Sequence, residues 1–339
     1  MELLTIEPPK TRATAASVLP RVLASCEQTT TSNGCKKFSF RAMGTACHVT
    51  FDTSSPNTER EFIKTVLHWV AGFEAKYSRF IPDSLIGRIN AAAGYEWVAV
   101  DTETERIFTL CDQLRFMTHG AFDPTALPLI QLWNWKADPP VLPDAAAIAT
   151  ARELVGWEKV QRRPRAVFLP QAGMCLDLGG VGKEYAVDCV AQLAINFGLR
   201  AALIDFGQDV RAVGQPPDKH AWHVGLEDPN AAGTCWNSVA ARDIAVATSG
   251  DYLRCFVKDG RRYGHIVDPR TGKPVDNGCQ SVTVLAPSCT MAGVLSTTAF
   301  IFGPEEGLRL IETCTGAEGC IITEKGTHET RRFQNYVTR

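Results

Sequence analysis

The stretch DLGGVGKEYAVD, residues 177–188, decides how the chain is read. It closes the apolar run GMCLDL and leads into a helical pattern that continues through Phe197 and stops at Gly198. Beyond the helix, AALIDF (201–206) has the character of a strand. Two adjacent glycines let a backbone approach a ligand closely, and the N-terminus of a helix behind them favours an anion. Two questions stay open at this point: whether the loop handles a nucleotide, and whether the pair Lys183–Glu184 does chemistry there.

Working outward, AVFLP and GMCLDL read as paired strands before the loop, and WHVGL, DIAVAT, SVTVLA and CIIT read as strands after it. The segment YLRCFVKDGRRYGHIV reads as a hairpin turning at Asp259-Gly260. Upstream, Phe62, Val66, Trp69, Val70, Phe73 and Tyr77 fall on one helical face. A second helix carries Ile107, Leu110, Cys111, Leu114 and Met117, with a stop at Gly120, and a third runs from an Asp144 cap to Gly156. Two more helices follow near 291–301 and from Pro304 to Cys314. Strands and helices alternate only in part, which predicts a mixed α/β (α+β) protein.

Order is expected to begin near Phe38, where FSFRAMGTACHVTF alternates like a half-buried strand. Residues 1–36 read as a flexible N-terminal extension, 37–330 as the folded domain and 331–339 as a C-terminal tail. The LASC stretch before residue 27 resembles a lipobox ending at Cys26, which would make an inner-membrane lipoprotein facing the periplasm. Pro20 and Arg21 interrupt the apolar segment such a leader needs, and no run of about 18 apolar residues occurs. Twelve scattered cysteines without metal-ligand spacing fit a reducing compartment, so the cytoplasm is the expected location. A net charge of −2 gives no footprint for nucleic acid or an anionic membrane.

Three glycine-bearing segments lie at strand ends: 177–188, IDFGQDV (204–210) and ATSGDY (247–252). Neither the GxGxxG nor the GxxxxGK[ST] phosphate fingerprint is met. RYGHIVDPRTG gathers His265, Asp268 and Arg270 within a few residues; His265 is a natural proton-transfer group, while Asp268-Pro269 is also ordinary turn chemistry. His220 and His223 are three apart in a strand and face opposite ways, so they share no metal.

Together these segments resemble the ApbE family of FAD:protein FMN transferases. The resemblance runs in order through FRAMGTACHVTF, YSRFIPDSLIGRIN, GAFDPTALPLIQLW, DLGGVGKEYAVD, DFGQDVRAVG, WHVGLEDP, AVATSGDYLRCF, YGHIVDPRTGKPVDNGCQSVTVLAPS and LSTTAFIFGPEEGL, about Phe40 to Thr323. It implies mixed β-sheets packed with helices in two intimately associated subdomains. It also implies a reaction in which FMN is transferred from FAD to a Thr or Ser of an acceptor protein, usually with Mg²⁺, and AMP leaves. By position, Met43, Tyr77 and Asp123 would line the cofactor environment. Asp177, Gly179, Gly180 and Lys183 would sit at the pyrophosphate, and Thr248, Ser249, Gly250 and Asp251 would border the dinucleotide. His265, Lys183 and Asp268 would carry catalysis, with Arg270 beside them, and the carbonyl of Gly182 and the hydroxyl of Thr297 would hold the metal.

The chain departs from the family pattern at the metal. The usual ADALST is MAGVLST, so Gly293 stands where the metal's one carboxylate is expected, and no acidic residue occurs between Gly278 and Pro304. The usual DLGGIAKGYAVD carries Glu184 here in place of a glycine, and the usual NLGGD is DFGQD. One reading is that Glu184 or Asp205 supplies the missing carboxylate. Another, ranked slightly first, is that Glu184 is an exposed first-turn acid favoured by the helix dipole. Transfer of FMN is the leading expectation. The alternatives are a flavin carrier or maturation partner without transferase activity, and a related nucleotide phosphotransferase or pyrophosphatase.

Overall fold

The computed structural model describes residues 13–231, 233–252 and 254–338. Strands and helices are numbered in chain order. The main sheet has nine strands, antiparallel at every pairing: β1 (Glu27–Thr30), β2 (Lys36–Ala42), β3 (Thr45–Phe51), β7 (Ala201–Phe206), β8 (Asp209–Gly214), β11 (Ala245–Gly250), β16 (Cys279–Ala286), β17 (Glu318–Thr323) and β18 (Gly326–Glu329), in that spatial order. One face carries α1 (Ala15–Ala24), α2 (Pro56–Tyr77), α7 (Gly182–Asn196), α8 (Cys289–Phe302) and α9 (Pro304–Thr313). The other is covered by the hairpin of β9 (Trp222–Glu227) and β10 (Cys235–Ala241).

Both faces are buried because strand residues alternate between two apolar clusters. In β7, Ala202, Ile204 and Phe206 enter the helix-side core, whereas Ala201 and Leu203 join Trp222, Leu226 and Val239 on the far side. Phe38, Phe51 and Phe62 meet edge to face at the centre of the helix-side core, with ring centroids 4.9–6.2 Å apart. Around this body lie α3 (Leu85–Ala91), α4 (Thr102–Met117), and a small sheet of β4 (Val98–Ala99), β6 (Ala166–Phe168) and β5 (Gln161–Arg163). A satellite cluster joins α5 (Leu127–Leu132) and α6 (Ala145–Glu153) to Val267, near the hairpins β12 (Cys255–Lys258)–β13 (Arg261–Gly264) and β14 (Val267–Asp268)–β15 (Lys273–Pro274).

α2, α4, α6, α7, α8, α9 and most strands fall where periodicity expects them, whereas α1, α3 and α5 were not expected; Asp144 caps α6 by accepting from the Ala147 N–H at 2.7 Å. Asp259 and Gly260 turn the β12–β13 hairpin with φ of 51° and 75°.

Four expectations need correction. The first twelve residues of the expected extension lie outside the described residues, but the rest of it is ordered. Val18 and Val22 of α1 are buried against the core, Arg21 pairs with Glu74 at 2.7 Å, and β1 joins the sheet edge on β2. The C-terminal tail is also tied down, with Phe333 buried and Val337 bridging to Val239. FSFRAMGTACHVTF is two strands, because Met43 and Gly44 (φ 50° and 74°) make a two-residue turn that pairs Ala42 with Thr45. GMCLDL forms no strand: the Asn90 side-chain amide donates to the Leu176 carbonyl at 2.9 Å and accepts from its N–H at 2.7 Å, taking the place of a neighbouring strand.

Candidate active site

The opening loop is held by Asp177. Its Oδ1 accepts from the Gly179 N–H at 2.9 Å and its Oδ2 meets Arg79 Nε at 3.0 Å, so the carboxylate shapes the loop from within. Gly179 and Gly180 are exposed, and the Leu178 carbonyl gathers the N–H groups of Val181 and Gly182 at the start of α7. The first-turn amides of α7 then face the loop as helix ends do, without intrahelical partners and with a dipole that favours an anion. Gly182 is the first residue of α7, where a carbonyl turns along the axis toward the amide four residues on and keeps a second lone pair.

Glu184 is not a surface acid. It is 7 % exposed, and its side chain lies across Gly293 of α8. A Cβ at 293 would sit 2.5 Å from Glu184 Cγ and 3.4 Å from Oε1. Lys183 Nζ reaches Glu184 Oε1 at 3.4 Å and also pairs with Asp209 Oδ2 at the start of β8. Glu184 Oε2 is buried without a hydrogen-bond partner among the described residues. Asp205, the other compensation candidate, is committed to the β7–β8 turn, where its Oδ1 accepts from the Gln208 N–H at 2.8 Å.

Beside Gly293 lies a hydroxyl cluster. Ser249 Oγ, on β11, is 2.9 Å from Ser296 Oγ and 2.8 Å from Thr297 Oγ1, and Ser296 donates to the Gly293 carbonyl at 3.0 Å. Thr248 pairs across the sheet with Thr283, their hydroxyls 2.9 Å apart. At Gly250 a Cβ would meet the Tyr252 ring at 2.6 Å and the Gln280 carbonyl at 2.9 Å, so only glycine fits this strand end.

His265 is held at the same end of β11. Gly264 packs against buried Asp251 so closely that a Cβ would lie 2.7 Å from the Asp251 Cβ, and Arg262 meets Asp251 at 3.1 Å. Burial raises the Asp251 pKa, and Arg262 partly offsets this. The His265 ring has Trp135 at 6.5 Å edge-on, and its Nδ1 is buried without a partner. Burial and then the Arg254 charge push its pKa down to about 4, leaving a neutral imidazole at neutral pH. Asp268 does not orient it. Both Asp268 oxygens are taken by the Arg270 guanidinium at 2.9–3.2 Å, with the Arg270 N–H also on Oδ1, which is the turn chemistry its sequence allows.

Three further expected residues are placed in supporting positions. Met43 forms the β2–β3 turn, its N–H donating to Glu74 Oε2 at 3.0 Å. Tyr77 is 5 % exposed, with its hydroxyl donating to Glu103 and paired with Thr104, so its ring belongs to the core. Asp123 accepts from the Thr125 N–H and hydroxyl, the Trp157 N–H and Arg115 Nε, which leaves no lone pair free for a cofactor. The sequence reading missed Asp209, Arg79, Ser296 and Asp188. All four stood inside the motifs above, but nothing local marks them as partners of Lys183, Asp177, Ser249 and the start of α8.

Glu184, Ser249 and Thr297 fit a small hard cation, since all are oxygen donors and one carboxylate oxygen is unspent. No group of three or more His, Cys, Asp or Glu that could cage a metal occurs among the described residues. A site that shares its ion with substrate phosphates needs only one or two carboxylates.

Comparison with known proteins identifies the family and the fold. The ApbE family profile matches residues 43–321. An FAD:protein FMN transferase of Treponema pallidum is 32% identical over 300 residues, 83% of this chain and 82% of that protein. One from Vibrio cholerae is 32% identical over 238 residues, covering 69% and 71%. Among solved structures, the ApbE protein of Thermotoga maritima superposes with a TM-score of 0.81 at 30% identity, over 90% of this chain and all of that one. The flavin transferase ApbE of Vibrio cholerae gives 0.76 at 27%, covering 92% and 99%.

Proposed function

The chain belongs to the ApbE family, and we propose that it is an FAD:protein FMN transferase. A Thr or Ser hydroxyl of an acceptor protein attacks the phosphorus on the FMN side of the FAD pyrophosphate. A phosphoester bond forms, the bridging P–O bond breaks, and AMP leaves. His265 takes the hydroxyl proton. The observation that carries this reading is its half-buried, neutral imidazole with a buried, unspent Nδ1, beside the strand end that bears Ser249 and Asp251. A pyrophosphate arriving next to the ring raises its basicity, because a nearby negative charge favours the imidazolium.

The first-turn amides of α7, behind Gly179 and Gly180, receive the pyrophosphate, and Lys183 adds positive charge. Thr248, Gly250 and Asp251 border the dinucleotide, with Met43 at the flavin and Arg270 at the rim. Tyr77 and Asp123 act indirectly, by holding the walls. Mg²⁺, when bound, neutralises charge developing on the pyrophosphate oxygens, and Glu184, Ser249 and Thr297 would hold it.

No helix among the described residues is long and apolar enough to cross a membrane. A cytoplasmic location is supported by twelve free thiols and by α1 (Ala15–Ala24), which packs Val18 and Val22 into the core. The carrier and pyrophosphatase alternatives draw no support from the relatives, which are named transferases.

The test is incubation with FAD, Mg²⁺ and a flavin-acceptor protein. AMP should appear one for one with flavin bound covalently to the acceptor. FAD recovered intact would support the carrier reading, and AMP with free FMN would support a pyrophosphatase.

A further inference from the structure

We infer that Glu184 supplies the carboxylate of a divalent-cation site between α7 and α8, and that Gly293 is a glycine so that this side chain can enter. The transferase reading gives the site its role, but the inference itself stands on the packing of this chain.

Glu184 and Asp188 are four residues apart on α7 and face α8 together. Asp188 fixes the register. Its Oδ1 accepts from the Cys289 N–H at 2.8 Å, and its Oδ2 from the Thr290 N–H at 2.9 Å and hydroxyl at 2.8 Å. One turn toward the start of α7, Glu184 therefore falls one turn further along α8, over Gly293. Any side chain at 293 would collide with it, since Cγ and Cδ lie 2.5 and 3.2 Å from the Cβ position.

The surroundings ask for a cation. Around buried Cys289 stand Glu184 and Asp188 with Lys183 and Arg211, and Lys183 is itself paired with a further carboxylate, Asp209. Asp188 is spent on the α8 amides and Asp209 on Lys183. Of the three carboxylates only Glu184 keeps a buried, unmatched oxygen, Oε2, which is costly for a carboxylate; Arg211 Nη1 is likewise buried and unmatched. Ser296 and Thr297, three and four residues beyond Gly293, share its helical face and join Ser249 in a cluster of oxygen donors. A buried carboxylate beside hydroxyl oxygens selects Mg²⁺ or Mn²⁺ over softer-ligand metals.

Mn²⁺ titration of the full chain without FAD, read by the loss of the free-ion EPR signal, tests this. Flavin fluorescence reports FAD binding in parallel. The unmodified chain should bind Mn²⁺, and Glu184→Gln should weaken binding at least about tenfold, the lower end of what even outer-shell partners contribute. Gly293→Asp alone should also weaken it, because its Cβ displaces Glu184. The double exchange Glu184→Gly with Gly293→Asp should restore binding, and it carries the test if Glu184→Gln fails to fold. Unchanged Mn²⁺ affinity in Glu184→Gln, a double exchange that binds no better than either single variant, or an unmodified chain that binds no Mn²⁺ would each overturn the inference. Failure of FAD binding or transfer with this Mn²⁺ pattern intact would instead count against the transferase reading.

Discussion

His265 shows how one half-buried ring couples stability to pH. Burial and the Arg254 charge lower its pKa to about 4, below the 6.5 of a free imidazole. The unfolded chain therefore takes up a proton that the folded chain refuses. The stabilisation is complete above about pH 6.5, declines as the pH falls, and amounts to a loss of about 2 kcal/mol by pH 5. Urea unfolding at pH 7 and pH 5 should show a smaller decline for His265→Gln than for the unmodified chain. Equal declines would mean the ring is not buried as described. Asp251 titrates in the opposite sense, since a raised carboxyl pKa favours folding at lower pH, and it is common to both proteins. Asp123 makes a second test at this scale. With four donors on its carboxylate, Asp123→Ala should cost about 3 kcal/mol of stability, read from the same unfolding curves. A cost near zero would return Asp123 to the surface of a cofactor pocket.

Between elements, the contact of α7 with α8 matters most, because it aligns the candidate site. Asp188→Ala removes the acceptor for two α8 amides and should destabilise the chain by about 1–2 kcal/mol, with a parallel loss of Mn²⁺ affinity as Glu184 drifts from Gly293. A stability loss with Mn²⁺ binding unchanged would show that the register does not depend on this cap. The longer helices other than α1 were legible: α2 repeats apolar residues at helical spacing, and Asp144 and Gly198 mark a start and a stop. The β2–β3 turn was not, because Met43 is an unusual residue at positive φ and the flanking residues alternate without a break. α1 was hidden by Pro20 within ten residues. The strand expected at GMCLDL failed because a side chain, Asn90, satisfies its backbone.

Across the whole molecule, ordered motifs made the family legible before the fold was. The main sheet turned out antiparallel at every pairing, a feature that apolar runs buried on both faces conceal. The Glu184–Gly293 contact could not be read from spacing, since it joins residues on different helices. What the sequence did supply was the pair of departures that the structure brings face to face. All the elements that bear the site, α7, β8, β11 and α8, pack on one another around the centre of the sheet, so loop, hydroxyls and carboxylate are presented together. The most direct measurement of the central claim is intact-protein and fragment mass spectrometry of an acceptor protein after incubation with the unmodified chain, FAD and Mg²⁺. The account predicts a mass gain of one FMN, localised to a Thr or Ser and absent when FAD is omitted. An acceptor of unchanged mass beside undiminished FAD would contradict it.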